Sequence, residues 1–427
     1  MPLPHTKGLS LSSMQAVNRL PTPPFAGLRR VPWQQIAVVV IPLTLPLTFR
    51  WIGQVLVAEV LLLLCLPCLL RRKRLFSESL LRTFLILLGA WFISQVISDM
   101  VRHSGAVDLL RGWAGIFFLC TDFVAIYALI DGRRRRLALF ALALAVGGIV
   151  KGLLAPGDRW ANMPMAVSWK FGLGQAVSLF VLALPFVYRK VPAGRLGGLI
   201  APFLLAPVHL LLNARSLAAI VAGAGVATVF CRLLRVRRLS LKPVLLIGCM
   251  TAGTLWAVDW AYEGLADHGY LGQAALSKYE KQRKGSLNLL LAGRSDLLGS
   301  IPAILDSPIL GHGSWARDIR YELMRLAALE SAGYDIGFVD DRIPTHSALF
   351  GAWVQAGLLG AVFWVWVLSV GLRAGLRMFL SPAALPLAAY MIVALLWDCL
   401  FSPCAMDQRI LTSLYVSCSL LLLGKRI

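Results

Sequence analysis

Residues 340–370 read DDRIPTHSALFGAWVQAGLLGAVFWVWVLSV. Two acids, an arginine, a proline and a histidine stand at the mouth of a long apolar run. Crossing a bilayer takes roughly 20 apolar residues, and this run is long enough. His346 therefore falls where the chain passes from an aqueous loop into a membrane span. An ionisable group at that depth can meet the charged head of a molecule whose tail lies in lipid.

The rest of the chain repeats this alternation. Of 427 residues, 58% are hydrophobic, and mean hydropathy is +0.73. The apolar residues come in blocks of spanning length separated by short charged breaks, which excludes a large soluble core. Hydropathy predicts an all-α membrane bundle with spans at 33–49, 51–70, 81–98, 111–130, 137–154, 168–188, 197–212, 216–231, 242–261, 346–371, 383–401 and 410–424. Residues 1–32 read as a polar, Pro-rich, disordered cytoplasmic tail without a signal peptide's apolar core. Spans 1–9 occupy 33–261, a long loop occupies 262–345, and spans 10–12 occupy 346–427.

The formal net charge of +21 would suggest nucleic acid on a soluble protein. Here the basic clusters argue otherwise. Arg71-Arg72-Lys73-Arg74, Arg133 to Arg136, Arg189-Lys190, Arg232 to Arg238, Arg373 with Arg377, and Lys425-Arg426 each follow an apolar block. Lys and Arg mark the cytoplasmic ends of spans. With the tail inside and strict alternation, every cluster falls inside, and both termini are cytoplasmic. Nucleic-acid binding is not expected.

The loop over 262–345 falls outside and is close to neutral. It is too long for a turn, and long loops of this kind carry function or structure of their own. Helical patterning predicts helices within 274–284, 293–306 and 314–331, forming a cap over the mouth of the bundle. The eight cysteines lie in or beside apolar blocks, and Cys65-Leu-Pro-Cys68 reads as small apolar filler rather than a redox motif. The six histidines show no paired ligand spacing, so no metal and no cofactor are expected.

Three residues stand out chemically. His346 titrates near neutral pH and reads either as a proton acceptor or as a polar cap satisfied by Asp340 or Asp341. Arg215, in Asn213-Ala214-Arg215-Ser216, is a cation on the outer side, against the charge rule. It reads as a phosphate ligand or as an arginine snorkelling to headgroups. Arg294 opens a loop helix, where an anion is favoured, or pairs with Asp296. Arg111, beside Trp113 at the interface, and Gln355, nine residues past His346, are further polar candidates. Asp99, Arg102, His103 and Asp108 cluster on the same outer loop as Arg111.

Three segments together resemble a known family. NARSLAAIVAGAG (213–225) is similar to its Ser-Arg-Gly turn. GRSDLLGSIPAILDSPILGHG (293–313) is similar to its Gly-Arg, apolar helix, Pro-Leu-Leu-Gly-x-Gly segment. THSALFGAWVQAGLLGAVFWV (345–365) is similar to its His-Asn, then Glu-x-Gly-Leu-Leu-Gly segment. The family is that of O-antigen ligases and the related O-antigen and exopolysaccharide polymerases. Their order around one long outer loop matches as well. Ser347 stands where the family has Asn, and Gln355 where it has Glu.

The resemblance implies a bacterial inner-membrane glycosyltransferase. Its donor would be an undecaprenyl-diphosphate-linked oligosaccharide on the periplasmic face, with membrane lipid around the tail. The acceptor glycan would be a lipid-linked repeat for a polymerase, or the lipid A core for a ligase. The resemblance assigns catalysis to His346, Arg215 and Arg294. Ser347, Gln355, Arg111 and His312 are expected beside them as substrate contacts. A lipid-linked-glycan flippase is the competing class, although few charges lie mid-membrane where transport coupling would need them.

Overall fold

The computed structural model describes residues 33–50, 52–71, 78–154, 165–187, 192–234, 241–272, 276, 279–280, 294–334, 339–380 and 385–424. The expected tail over 1–32 lies outside these residues, as does most of the helix expected at 274–284. Among the described residues the fold is all-α but for one small hairpin.

The helices are α1 (Trp33–Leu43), α2 (Val57–Leu70), α3 (Ser79–Arg102), α4 (Ala106–Ile130), α5 (Arg134–Leu154), α6 (Met165–Ser168), α7 (Gly174–Val187), α8 (Pro192–Leu211), α9 (Arg215–Leu234) and α10 (Leu241–Asp267). They continue as α11 (Leu297–Asp306), α12 (Ile319–Ser331), α13 (Ala348–Ala356), α14 (Leu358–Phe379), α15 (Pro386–Phe401) and α16 (Asp407–Leu423). A π-turn, Trp169–Leu173, joins α6 to α7. Five helices among the described residues, α3, α4, α5, α9 and α14, are long and apolar enough to cross a membrane.

Two expectations are corrected. The first two spans, read as 33–49 and 51–70, are a short helix, a hairpin and a second helix. After α1 the chain turns, with the Leu47 N–H on the Thr44 carbonyl at 2.9 Å, and Pro46 in that turn has no N–H to continue a helix. Strands β1 (Thr48–Arg50) and β2 (Gln54–Leu56) then pair antiparallel, with Thr48 opposite Leu56. The tenth span, read as continuous over 346–371, is two helices, α13 and α14. Gly357 divides them with φ +67° and ψ −152°, a conformation open essentially to glycine alone. A Cβ there would lie 1.9 Å from the Ile309 carbonyl oxygen.

Polar contacts sort into two levels, one at each end of the bundle. At the basic end, Arg136 donates to Gln34 Oε1 and the Leu129 carbonyl, both at 3.0 Å. The Tyr127 hydroxyl donates to Glu78, and Arg377 to the Leu423 carbonyl. At the loop end, Lys151 meets Asp407 at 2.5 Å, and Arg409 meets Glu59 at 2.6 Å. Successive long helices therefore run in alternate directions. Between the two levels the packing is aromatic: Phe84 stacks on Phe123 at 3.8 Å, and Trp91 on Phe363 at 5.1 Å.

The loop docks on the second level. Tyr321 donates to Asp306 at 2.7 Å, joining α12 to α11. A Cβ on Gly299 would lie 2.3 Å from Pro344 Cγ, so α11 rests directly on the segment leading to His346.

Candidate functional site

The last turn of α15 is where two candidate residues meet. Its Cys399 carbonyl accepts from Ser347 Oγ at 3.0 Å. Its Phe401 carbonyl accepts from Arg294 Nη1 at 3.2 Å. Ser347, the neighbour of His346, and Arg294 thus hang from one turn, on carbonyls two residues apart. The Arg294 guanidinium lies over the Phe401 ring at 4.5 Å and the Trp397 ring at 5.2 Å, an arrangement that favours a cation.

Arg215 opens α9 from a tight turn. Asn213 takes φ +56° and receives the Tyr262 hydroxyl at 3.0 Å, while the Ala214 N–H donates to the His209 carbonyl at 2.8 Å. The guanidinium of Arg215 lies 4.3 Å from the Tyr262 ring centre and 3.7 Å from Asp259.

Electrostatics tie the parts together. Burial lowers the Arg294 pKa below its ordinary value, Asp296 opposes this, and the Arg215 charge adds to it. Arg215 and Arg294 therefore sense each other across the site. His346 is open to solvent, yet its pKa is also lowered. The surrounding protein mass is the main cause; Asp296 pulls it up, and Arg294 and Lys170 push it down. That combination suits a recessed but reachable imidazole, neutral near pH 7. Asp296 stands at the N-cap of α11 without capping it, so its carboxylate is not spent on its own helix.

Electrostatic influence links Arg215 and Asp296 to Arg294, and Arg294, Lys170 and Asp296 to His346. The linked groups are three cations, an imidazole and two carboxylates, Asp296 and the Asp259 that pairs with Arg215. Such a group can hold an anion and accept a proton beside it. Asp296 was visible in the sequence only as a partner for Arg294. Lys170 was missed, although a lysine at the outer end of an apolar run breaks the charge rule as Arg215 does.

The other candidates sit elsewhere or serve structure. Ser347 is buried and caps α13, accepting from the Phe350 N–H. The Gln355 carbonyl, at the far end of α13, accepts from Ser98 Oγ at 2.9 Å. Arg111 donates to the Ile52 carbonyl at 2.7 Å and so holds the hairpin. His312 Nε2 donates to the Ala303 carbonyl at 2.7 Å, and its ring packs edge-on to Tyr321. The structure does not bring Arg111, His312 or Gln355 to the Arg215–Arg294–His346 group.

No known family model matches the chain, and no curated protein matches it.

Proposed function

We propose that the protein is a glycosyltransferase of the bacterial inner membrane that moves a glycan from undecaprenyl diphosphate to an acceptor sugar hydroxyl. On this reading about 12 spans cross the membrane with both termini cytoplasmic, and the loop over 262–345 faces the periplasm. The observation that carries the proposal is that the last turn of α15 holds both Arg294 and Ser347, the neighbour of His346, with Arg215 influencing Arg294 and Arg294 influencing His346.

Arg215 and Arg294 bind the diphosphate and stabilise the charge that grows on it as the sugar–phosphate bond breaks. His346 takes the proton of the acceptor hydroxyl. The freed oxygen attacks the anomeric carbon from the face opposite the diphosphate, so configuration inverts. The electron pair of the breaking bond leaves on the phosphate oxygen. Asp296 offsets part of the positive field once His346 is protonated.

The test is reconstitution in proteoliposomes with a lipid-linked oligosaccharide donor and two acceptors, a second lipid-linked repeat and lipid A core. Lengthening of the lipid-linked glycan identifies a polymerase, the acceptor class favoured here; transfer to lipid A core identifies a ligase. His346→Ala abolishes transfer while the protein still inserts and elutes as a single species. Undiminished transfer by that variant would falsify the assignment of the base.

A further inference from the structure

His209 lies outside the chemistry proposed above, yet it is fully buried with 0% exposure. Both ring nitrogens are engaged. The Trp169 indole N–H can only donate, and it reaches His209 Nδ1 at 2.9 Å. Nδ1 is therefore the acceptor and the proton sits on Nε2. Nε2 faces Ser178 Oγ at 2.8 Å, and the Ser178 hydroxyl donates to the Gly174 carbonyl at 2.8 Å. Three hydrogen bonds run in one direction and fix one neutral tautomer.

His209 is connected to the turns that bear two of the site's cations. Trp169 begins the π-turn, and Lys170 is the next residue. Single π-turns within α-helices are strained and recur at functional sites. This one is seated tightly: a Cβ on Gly174 would lie 2.7 Å from Trp169 Nε1 and 2.9 Å from Leu217 Cδ1. Leu217 is two residues beyond Arg215. The main chain of His209 holds the other side, since its carbonyl receives the Ala214 N–H at 2.8 Å. The side chain of His209 thus anchors the turn bearing Lys170, and its backbone anchors the turn bearing Arg215.

We infer that His209 is a positioning residue of the anion site, setting the separation of Lys170 from Arg215 to suit a diphosphate. The inference rests on the proposed reading of that site as one for a diphosphate. Lys170 is then a third cation for the donor, held in register by a buried imidazole that never meets substrate.

Trp169→Phe tests it by removing the donor while keeping an aromatic ring. The probes are inorganic pyrophosphate, read by its upward shift of the thermal midpoint, and the lipid-linked donor in the reconstituted assay. Losing one oriented hydrogen bond predicts about a tenfold rise in donor KM and a matching loss of pyrophosphate affinity, with kcat within about twofold. In a Lys170→Met background the same substitution has no further effect on KM, because it acts through Lys170. If Trp169→Phe does not fold, Ser178→Ala breaks the far end of the chain and predicts a smaller change of the same kind. An unchanged KM, or equal effects with and without Lys170, overturns the inference and leaves the site reading standing. A wild-type protein that neither transfers glycan nor responds to pyrophosphate overturns both.

Discussion

Asp99 is the residue on which docking of the outer loop depends most. Its carboxylate is 1% exposed and collects donors from three directions. Oδ1 receives the Ser314 N–H at 2.5 Å and Ser104 Oγ at 2.8 Å. Oδ2 receives the Trp113 indole N–H and Ser314 Oγ, both at 2.8 Å. Nearby Arg102 donates to the Gly311 carbonyl at 3.0 Å and to Ser307 Oγ at 2.8 Å. In Asp99→Ala the hydroxyls can turn elsewhere, but the Ser314 amide and the Trp113 indole cannot. Two buried donors left unpaired cost about 1–3 kcal/mol each, so docking of the loop weakens by about 2–6 kcal/mol. Hydrogen exchange in detergent reads this directly. Amides of residues 311–316 exchange at least about thirtyfold faster, the factor for the lower bound, while those in the middle of α3 and α4 keep their protection. Asp99→Asn falls between, since the amide keeps an acceptor but turns an N–H toward a donor. Exchange of 311–316 at the wild-type rate in Asp99→Ala would show that the loop is held by other contacts and that this accounting is wrong.

The remaining predictions concern three separate features. Gly357→Ala places a Cβ on the Ile309 carbonyl in a backbone conformation closed to alanine. It costs about 3 kcal/mol or more and is seen as loss of the monodisperse species on size exclusion. Asp122 is 0% exposed, and neither carboxylate oxygen has a hydrogen-bond partner among the described residues. Asp122→Leu removes both unpaired oxygens at similar reach and raises stability by about 1–3 kcal/mol in a thermal melt, whereas a lowered midpoint would show that the charge interaction with Arg409 outweighs the burial cost. The pKa of His346 is lowered by the surrounding protein mass and by Arg294 and Lys170, against Asp296. The neutral base then persists to lower pH, so the acid limb of kcat/KM lies below the unperturbed value of about 6.5. Lys170→Met moves that limb up and Asp296→Asn moves it further down; shifts in the opposite senses would remove His346 from the role of base.

The bundle was legible because hydropathy and charge asymmetry report on long segments, and those signals survive local detail. They were blind to backbone conformation. Pro46 and Arg50 were in view, yet a hydropathy window averages over a three-residue strand and read two spans where a hairpin intervenes. Gly357 was equally visible. With apolar residues on both sides, nothing in their polarity distinguishes a glycine inside a helix from one at φ +67°. The site divides the same way. Arg215 and His346 stood out because each is polar where its surroundings or the charge rule say otherwise, and Arg294 because it opens a loop helix. Lys170 met that criterion too, but a π-turn has no local sequence mark, and a lysine just inside an apolar run reads as a snorkelling end. What no residue-type argument could supply is the surface that makes these groups neighbours. Arg294 and the segment of His346 are held by the carbonyls of Phe401 and Cys399. Every residue has a carbonyl, so these acceptors leave no trace in the identity of the side chains that carry them. Their effect depends on α15 ending where it does: Ser402 turns to an extended conformation, and the carbonyls of the last turn are left without helical partners. A helix end is thus the organising element of the site. A substitution that extends α15 by a turn, such as Pro403→Ala, would occupy those carbonyls and separate Arg294 from His346 without touching either.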